Sequence, residues 1–203
     1  MANNSLNTLL QQLMKEDTVQ QMSGMLGTDM QTTQQAIGAA LPTLLAGLGK
    51  EVQTPEGAQA LASALDRDHD GSILDDIGGY VSNGPDVNQG NKILGHLFGG
   101  QQETVQNSLG NATGIGGQGM GALLAGLAPL VLGALGKEKK ENGLDVGGLV
   151  QMLLTGNSNM NQQSGGGMDL LNNLFDQGGD GSGMDDLLNM GGSLLGGLFG
   201  GKK

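Results

Sequence analysis

"DTVQQMSGMLGTDMQTTQQAIGAALPTLLAGLGKE", residues 17–51, and "ETVQNSLGNATGIGGQGMGALLAGLAPLVLGALGKE", residues 103–138, are the two stretches that decide the fold of this chain. Each opens on an acidic residue followed by Thr-Val-Gln, passes a glycine-marked break, and closes on a proline, a leucine-rich run and Gly-Lys-Glu. Pro42, Leu45, Leu48, Gly49, Lys50 and Glu51 meet Pro129, Leu132, Leu135, Gly136, Lys137 and Glu138, and the offset drifts only from 86 to 87. We read an internal duplication whose unit is a short helix, a turn and a long helix carrying a proline. An interior proline removes one backbone donor and crowds the preceding turn, so each long helix is expected to bend or break there. The first copy places the polar run "TDMQTTQQAIG" on its long helix, which a bilayer-spanning segment would not carry at that depth. If the copies share a fold, the uncharged run 104–136 of the second is a buried core helix, although its apolar length alone would permit a membrane span.

Outward from the copies, three more helices are expected. In "TPEGAQALASALD" (54–66), Thr54 is the N-cap and Pro55 the first helical residue, with Ala58, Leu61, Ala62 and Leu65 on one face. "NQGNKILGHLFGG" (88–100) gathers Ile93, Leu94, Leu97 and Phe98 and stops on a glycine pair, and "NGLDVGGLVQMLLTG" (142–156) repeats Leu144, Leu149, Met152 and Leu153. Nothing alternates apolar with polar long enough to suggest a strand. The fold class expected is all-α: a compact helical domain over residues 1–154, followed by a tail over 155–203.

The core has to be aliphatic, because the chain has one tyrosine, three phenylalanines and no tryptophan among 203 residues. Forty glycines suit close helix packing, and Met22, Met25, Met30, Met120 and Met152 are expected to fill irregular core gaps. No cysteine is present, which removes disulfides, thiol nucleophiles and thiolate-held metals. Twenty acidic residues against nine basic ones argue against a nucleic-acid partner, since a phosphate backbone calls for clustered Lys and Arg. The N-terminus lacks the pattern of a secretory signal, so the expected location is cytoplasmic.

The tail changes character. "TGNSNMNQQSGGG" has a linker's composition and leads into "MDLLNNLF", "MDDLLNM" and "SLLGGLFGGKK". The last echoes "LGHLFGGQQ" (94–102) at six of nine positions. Leu170, Leu171, Leu174, Phe175, Leu187, Leu188, Leu194, Leu195, Leu198 and Phe199 are the candidate interaction residues, because apolar groups at helical spacing with no core of their own usually bind something. The partners expected are a second copy of the chain or another protein. A membrane surface, met by the last segment with Lys202 and Lys203, is less favoured.

One acidic loop invites a metal reading. "DRDHDGSILDD" (66–76) puts Asp66, Asp68 and Asp70 at positions 1, 3 and 5 of an EF-hand loop and Gly71 at position 6, but position 12 is Ile77 where a bidentate glutamate belongs. Weak Ca²⁺ binding through Asp66, Asp68, Asp70 and Asp76 is the alternative. The preferred reading is a helix start over "SILDDIGGYV", capped by Asp70 or Ser72, with Ser72 and Asp75 imitating a capping box. His69 is expected in solvent on the loop and His96 on a helix surface, and no cofactor is called for. Residues 176–187 match the loop at six of twelve positions but have no acid at the third.

No set of residues places a nucleophile beside a base or pairs carboxylates in a dry cleft, so the chain is expected not to be an enzyme. "GIGGQG" and "GGGMDLL" lack the preceding strand of a phosphate loop. The phrases "AIGAALPTLLAGL", "TPEGAQALASAL", "HDGSILDDIGG", "KILGHLFGG" and "LLAGLAPLVLGALGK", in this order over residues 17–140, resemble the bacterial YidB-like family, a helical domain of unknown function. The resemblance implies a helical fold and no mechanism. It leaves the tail outside, so the expected role, a non-enzymatic scaffold for self-association or protein–protein interaction, rests on the tail's own residues.

Overall fold

The computed structural model describes residues 4–160, with side chains from 5 to 154. Helix follows helix: α1 (Asn4–Leu13), α2 (Glu16–Leu26), α3 (Met30–Glu51), α4 (Pro55–Asp68), α5 (Ile77–Ser82), α6 (Val87–Phe98), α7 (Gln102–Thr113), α8 (Gly116–Glu141) and α9 (Val146–Met160). Short 3₁₀ turns at Ser72–Asp76 and Gly99–Gln101 join α4 to α5 and α6 to α7. No strand occurs among the described residues. α9 continues through Thr155 to Met160, past the point where the composition turns linker-like.

Both stretches that opened the sequence reading form a short helix, a tight turn and a long helix. The short helices end alike, on Gly27 and Gly114, whose φ values of 65° and 84° an L side chain rarely adopts. Their N–H groups return to the carbonyls of Ser23 and Gly110, satisfying acceptors the helix end would orphan. The long helices begin differently. Asp29 caps α3 by accepting the Thr32 N–H at 2.9 Å, while α8 has no side-chain cap.

Of the bend or break expected at the prolines, a break does not occur: α3 and α8 both run continuously through Pro42 and Pro129. The reason lies in what covers the carbonyls that lose their donor. Pro42 frees the carbonyl of Gly38, a solvent-exposed residue that water can reach. Pro129 frees that of Ala125, and Gly90 of α6 presses its bare Cα against this carbonyl.

α8 is the axis of the bundle, touched by α1, α3, α6, α7 and the 3₁₀ turn before α5. Leu123 to Gly136 are buried without interruption, so the helix is apolar all round because every side meets protein. Leu9 and Leu13 of α1, Ile37, Leu44 and Leu48 of α3, Leu65 of α4 and Leu94 of α6 complete the core. Burying one such side chain is worth about 1.5–3 kcal/mol, so this shared leucine surface dominates the stability. Met22, Met120 and Met152 are in the core as expected, but Met30 is only half-buried and Met25 is 54% exposed.

Candidate functional site

The acidic loop is built onto α8 rather than held out in solvent. Gly136 and Gly133 lack side chains where the His69 carbonyl and the Ile73 methyl approach, and Gly71, at φ +94°, faces the Cβ of Lys137. His69 is accordingly buried, at 9% exposure, which corrects the expectation of a solvated loop residue; desolvation lowers its pKa while the charge of Asp68 pulls the other way. His96 is on the surface of α6.

The loop carboxylates go to separate tasks. Asp66 pairs with Lys139 of α8 at 2.6 Å, and Asp68, the last residue of α4, is exposed. Asp70 accepts the Ser72 N–H at 3.1 Å, and that bond, with the Ser72 hydroxyl and the charge of Lys140, holds its carboxyl below the usual range. Asp76 accepts the Gly79 N–H at 2.7 Å and so caps α5. "SILDDIGGYV" is therefore a 3₁₀ turn, whose first N–H the Asp70 side chain accepts as expected, followed by a separate helix capped by Asp76; the Ser72–Asp75 capping box does not form. Among the described residues no three of His, Asp and Glu stand together as a group able to hold a metal ion.

An apolar cleft lies elsewhere, and the sequence reading missed it. Met22, Met25 and Leu26 of α2 form one wall, Tyr80 and Val81 of α5 with Pro85 and Val87 a second, and Leu123, Gly126, Leu127 and Leu130 of α8 the floor. It encloses about 70 Å³. Ligand pockets usually span about 300–1,000 Å³, so this space suits one side chain rather than a cofactor. Three large apolar residues are exposed among the described side chains, Met25, Val87 and Leu154, and two of them line this cleft.

Tyr80 gives the cleft its polar mark. Its hydroxyl donates to the carbonyl of Gly126 at 3.1 Å, one residue past the carbonyl that Pro129 releases. Burial, assisted by the negative charge of Asp86 nearby, pushes the Tyr80 phenol up to about 12. Asp86 holds the start of α6, accepting the N–H groups of Asn88 and Gln89, each at 3.0 Å. Nothing in the spacing of Met25 or Val87 distinguishes them from core residues; their exposure depends on where the neighbouring helix stops.

The expected interaction residues, Leu170 to Phe199, lie outside the described residues. Comparison with curated proteins finds no match, and comparison with solved structures finds none. A family model described as a bacterial protein of unknown function, DUF937, matches residues 8–138, which is α1 to all but the last turn of α8. The chain belongs to this bacterial DUF937 family.

Proposed function

We propose that the chain is a non-enzymatic helical scaffold whose task is binding, through self-association or capture of another protein, with Leu170, Leu171, Leu174, Phe175, Leu187, Leu188, Leu194, Leu195, Leu198 and Phe199 making the contacts. The observation that carries the reading is the pairing of a sequence rich in apolar modules after residue 167 with an open apolar cleft in the helical domain. Within the DUF937 family we place the chain among YidB-like members, on the five ordered phrases between residues 17 and 140. We also take 17–51 and 103–138 as copies of one unit. The shared order of short helix, left-handed glycine, long helix and interior proline supports this, and a crystallographic superposition in which the two helix pairs cross at unlike angles would count against it.

Sedimentation of the full chain across a concentration series tests the binding role against a variant carrying Leu171→Asp, Leu188→Asp and Leu198→Asp. Association of the parent, lost in the variant at an unchanged melting temperature, is the expected result. Identical sedimentation, together with identical capture of partners from a bacterial extract, defeats the proposal.

A further inference from the structure

We infer that the cleft around Tyr80 receives residues 191–203, "GGSLLGGLFGGKK", from a second copy of the chain, an inference resting on the self-association reading above. Size, sequence and charge converge on this occupant. A cleft of about 70 Å³ takes one apolar side chain of about leucine size. The segment offers Leu194, Leu195, Leu198 and Phe199 at positions i, i+1, i+4 and i+5, a spacing that puts them on one face if the segment becomes helical on binding.

A near copy of the segment already makes such a contact within the fold. In "LGHLFGG" (94–100), Leu94 and Phe98 are buried, and the Phe98 ring lies 3.0 Å from where a Cβ on Gly47 of α3 would stand. On α8 the bare face of Gly126 is already covered, by the Pro85 ring 3.2 Å from where a Cβ would stand, so an occupant of the cleft meets Pro85 and the side chains of Met25 and Val87.

Charge selects this module over the two before it. Residues 141–203 contain no basic residue except Lys202 and Lys203, while "MDLLNNLF" and "MDDLLNM" carry aspartates. Asp86, beside Val87 and near the Tyr80 hydroxyl, places a negative charge at the cleft. Aspartate-bearing modules would be repelled there and a dilysine end attracted.

The test uses a synthetic peptide of residues 191–203 added to the full chain bearing Phe199→Asp, with fluorescence of Tyr80, the single tyrosine, as the readout. Saturable binding is expected, lost when the peptide itself carries Phe199→Asp. Val87→Asp at the first position of α6 and Met25→Lys in the last turn of α2 put charges where the helix ends favour them, so the fold survives both. Each should weaken capture on the order of tenfold or more, despite their opposite charges. Asp86→Asn keeps the cap and removes the charge, and should weaken capture and flatten its salt dependence. No saturable capture, or capture indifferent to both Val87→Asp and Met25→Lys, overturns the cleft assignment. If the parent chain associates and loses association on Phe199→Asp while the cleft variants associate normally, the tail reading survives and the cleft assignment falls. A parent chain that captures the peptide yet sediments as a monomer at every concentration overturns the second-copy assignment and the self-association reading together.

Discussion

Tyr80 shows how much a single residue's chemistry depends on its surroundings. A phenol in water ionises near 10.0, but this one is half-buried against α8 beside the negative charge of Asp86 and is pushed up to about 12. A folded-state value above the unfolded one favours the neutral phenol in the native state. The stabilisation is therefore complete below pH 10 and is lost as the pH rises through about 12. Because the chain has one tyrosine and no tryptophan, phenolate absorbance reports this group alone. Native protein should show almost no phenolate at pH 10, whereas denatured protein should be about half ionised there; equal titration curves in the two states would refute the burial argument. None of this shift was legible in the sequence, where "IGGYVS" shows a tyrosine in a short helix and nothing of the carbonyl it would reach. The same holds for His69, whose sequence neighbours are charged but which is buried, its carbonyl lying against Gly136 of α8.

At the scale of elements, glycines act in opposite senses according to what they face. Gly90 of α6 lies against the backbone of Ala125, so a methyl group there would collide with its carbonyl and push α6 off α8. Gly38, also within a helix, has nothing within 4 Å of where its Cβ would be. Gly90→Ala should therefore destabilise by about 1–3 kcal/mol or more, from overpacking against backbone that cannot yield. Gly38→Ala should stabilise by about 0.5–1 kcal/mol, from helix propensity alone. Urea unfolding of the two variants checks both signs, and two changes of the same sign would show that α6 does not sit on α8 as described. Helix existence was legible in sequence for α2, α3, α4, α6, α7, α8 and α9, because apolar spacing and caps such as Thr54, which accepts the Gly57 N–H at 3.1 Å, are local properties. The continuity of α8 through Pro129 was not, since it depends on a glycine 39 positions earlier in the chain covering the freed carbonyl.

Across the whole molecule, Glu138 ties the start of α1 to the end of α8. Its side chain, 2% exposed near the end of α8, accepts the Ser5 N–H of the first turn of α1 at 3.0 Å and the Asn142 amide at 3.2 Å. The carboxylate thus sits at the positive end of a helix 133 residues away in sequence. Glu138→Ala leaves that N–H buried without this partner and should cost about 1–3 kcal/mol. Glu138→Gln keeps an acceptor and should cost less. Hydrogen exchange in α1 should accelerate in the alanine variant more than in α3 or α8; uniform acceleration, or none, would mean that α1 is not anchored in this way. α1 is not among the helices expected from sequence, where the N-terminus serves only as a test for a signal and Lys137 and Glu138 only as the close of a repeated stretch. The sequence by itself determined the all-helical class, the order of most helices and their apolar faces, because hydrophobic spacing, capping and glycine stops act over a few residues. Only the tertiary structure decided which charges are buried, which methionine is exposed and where the apolar cleft opens, because these depend on which distant backbone comes to lie over each residue.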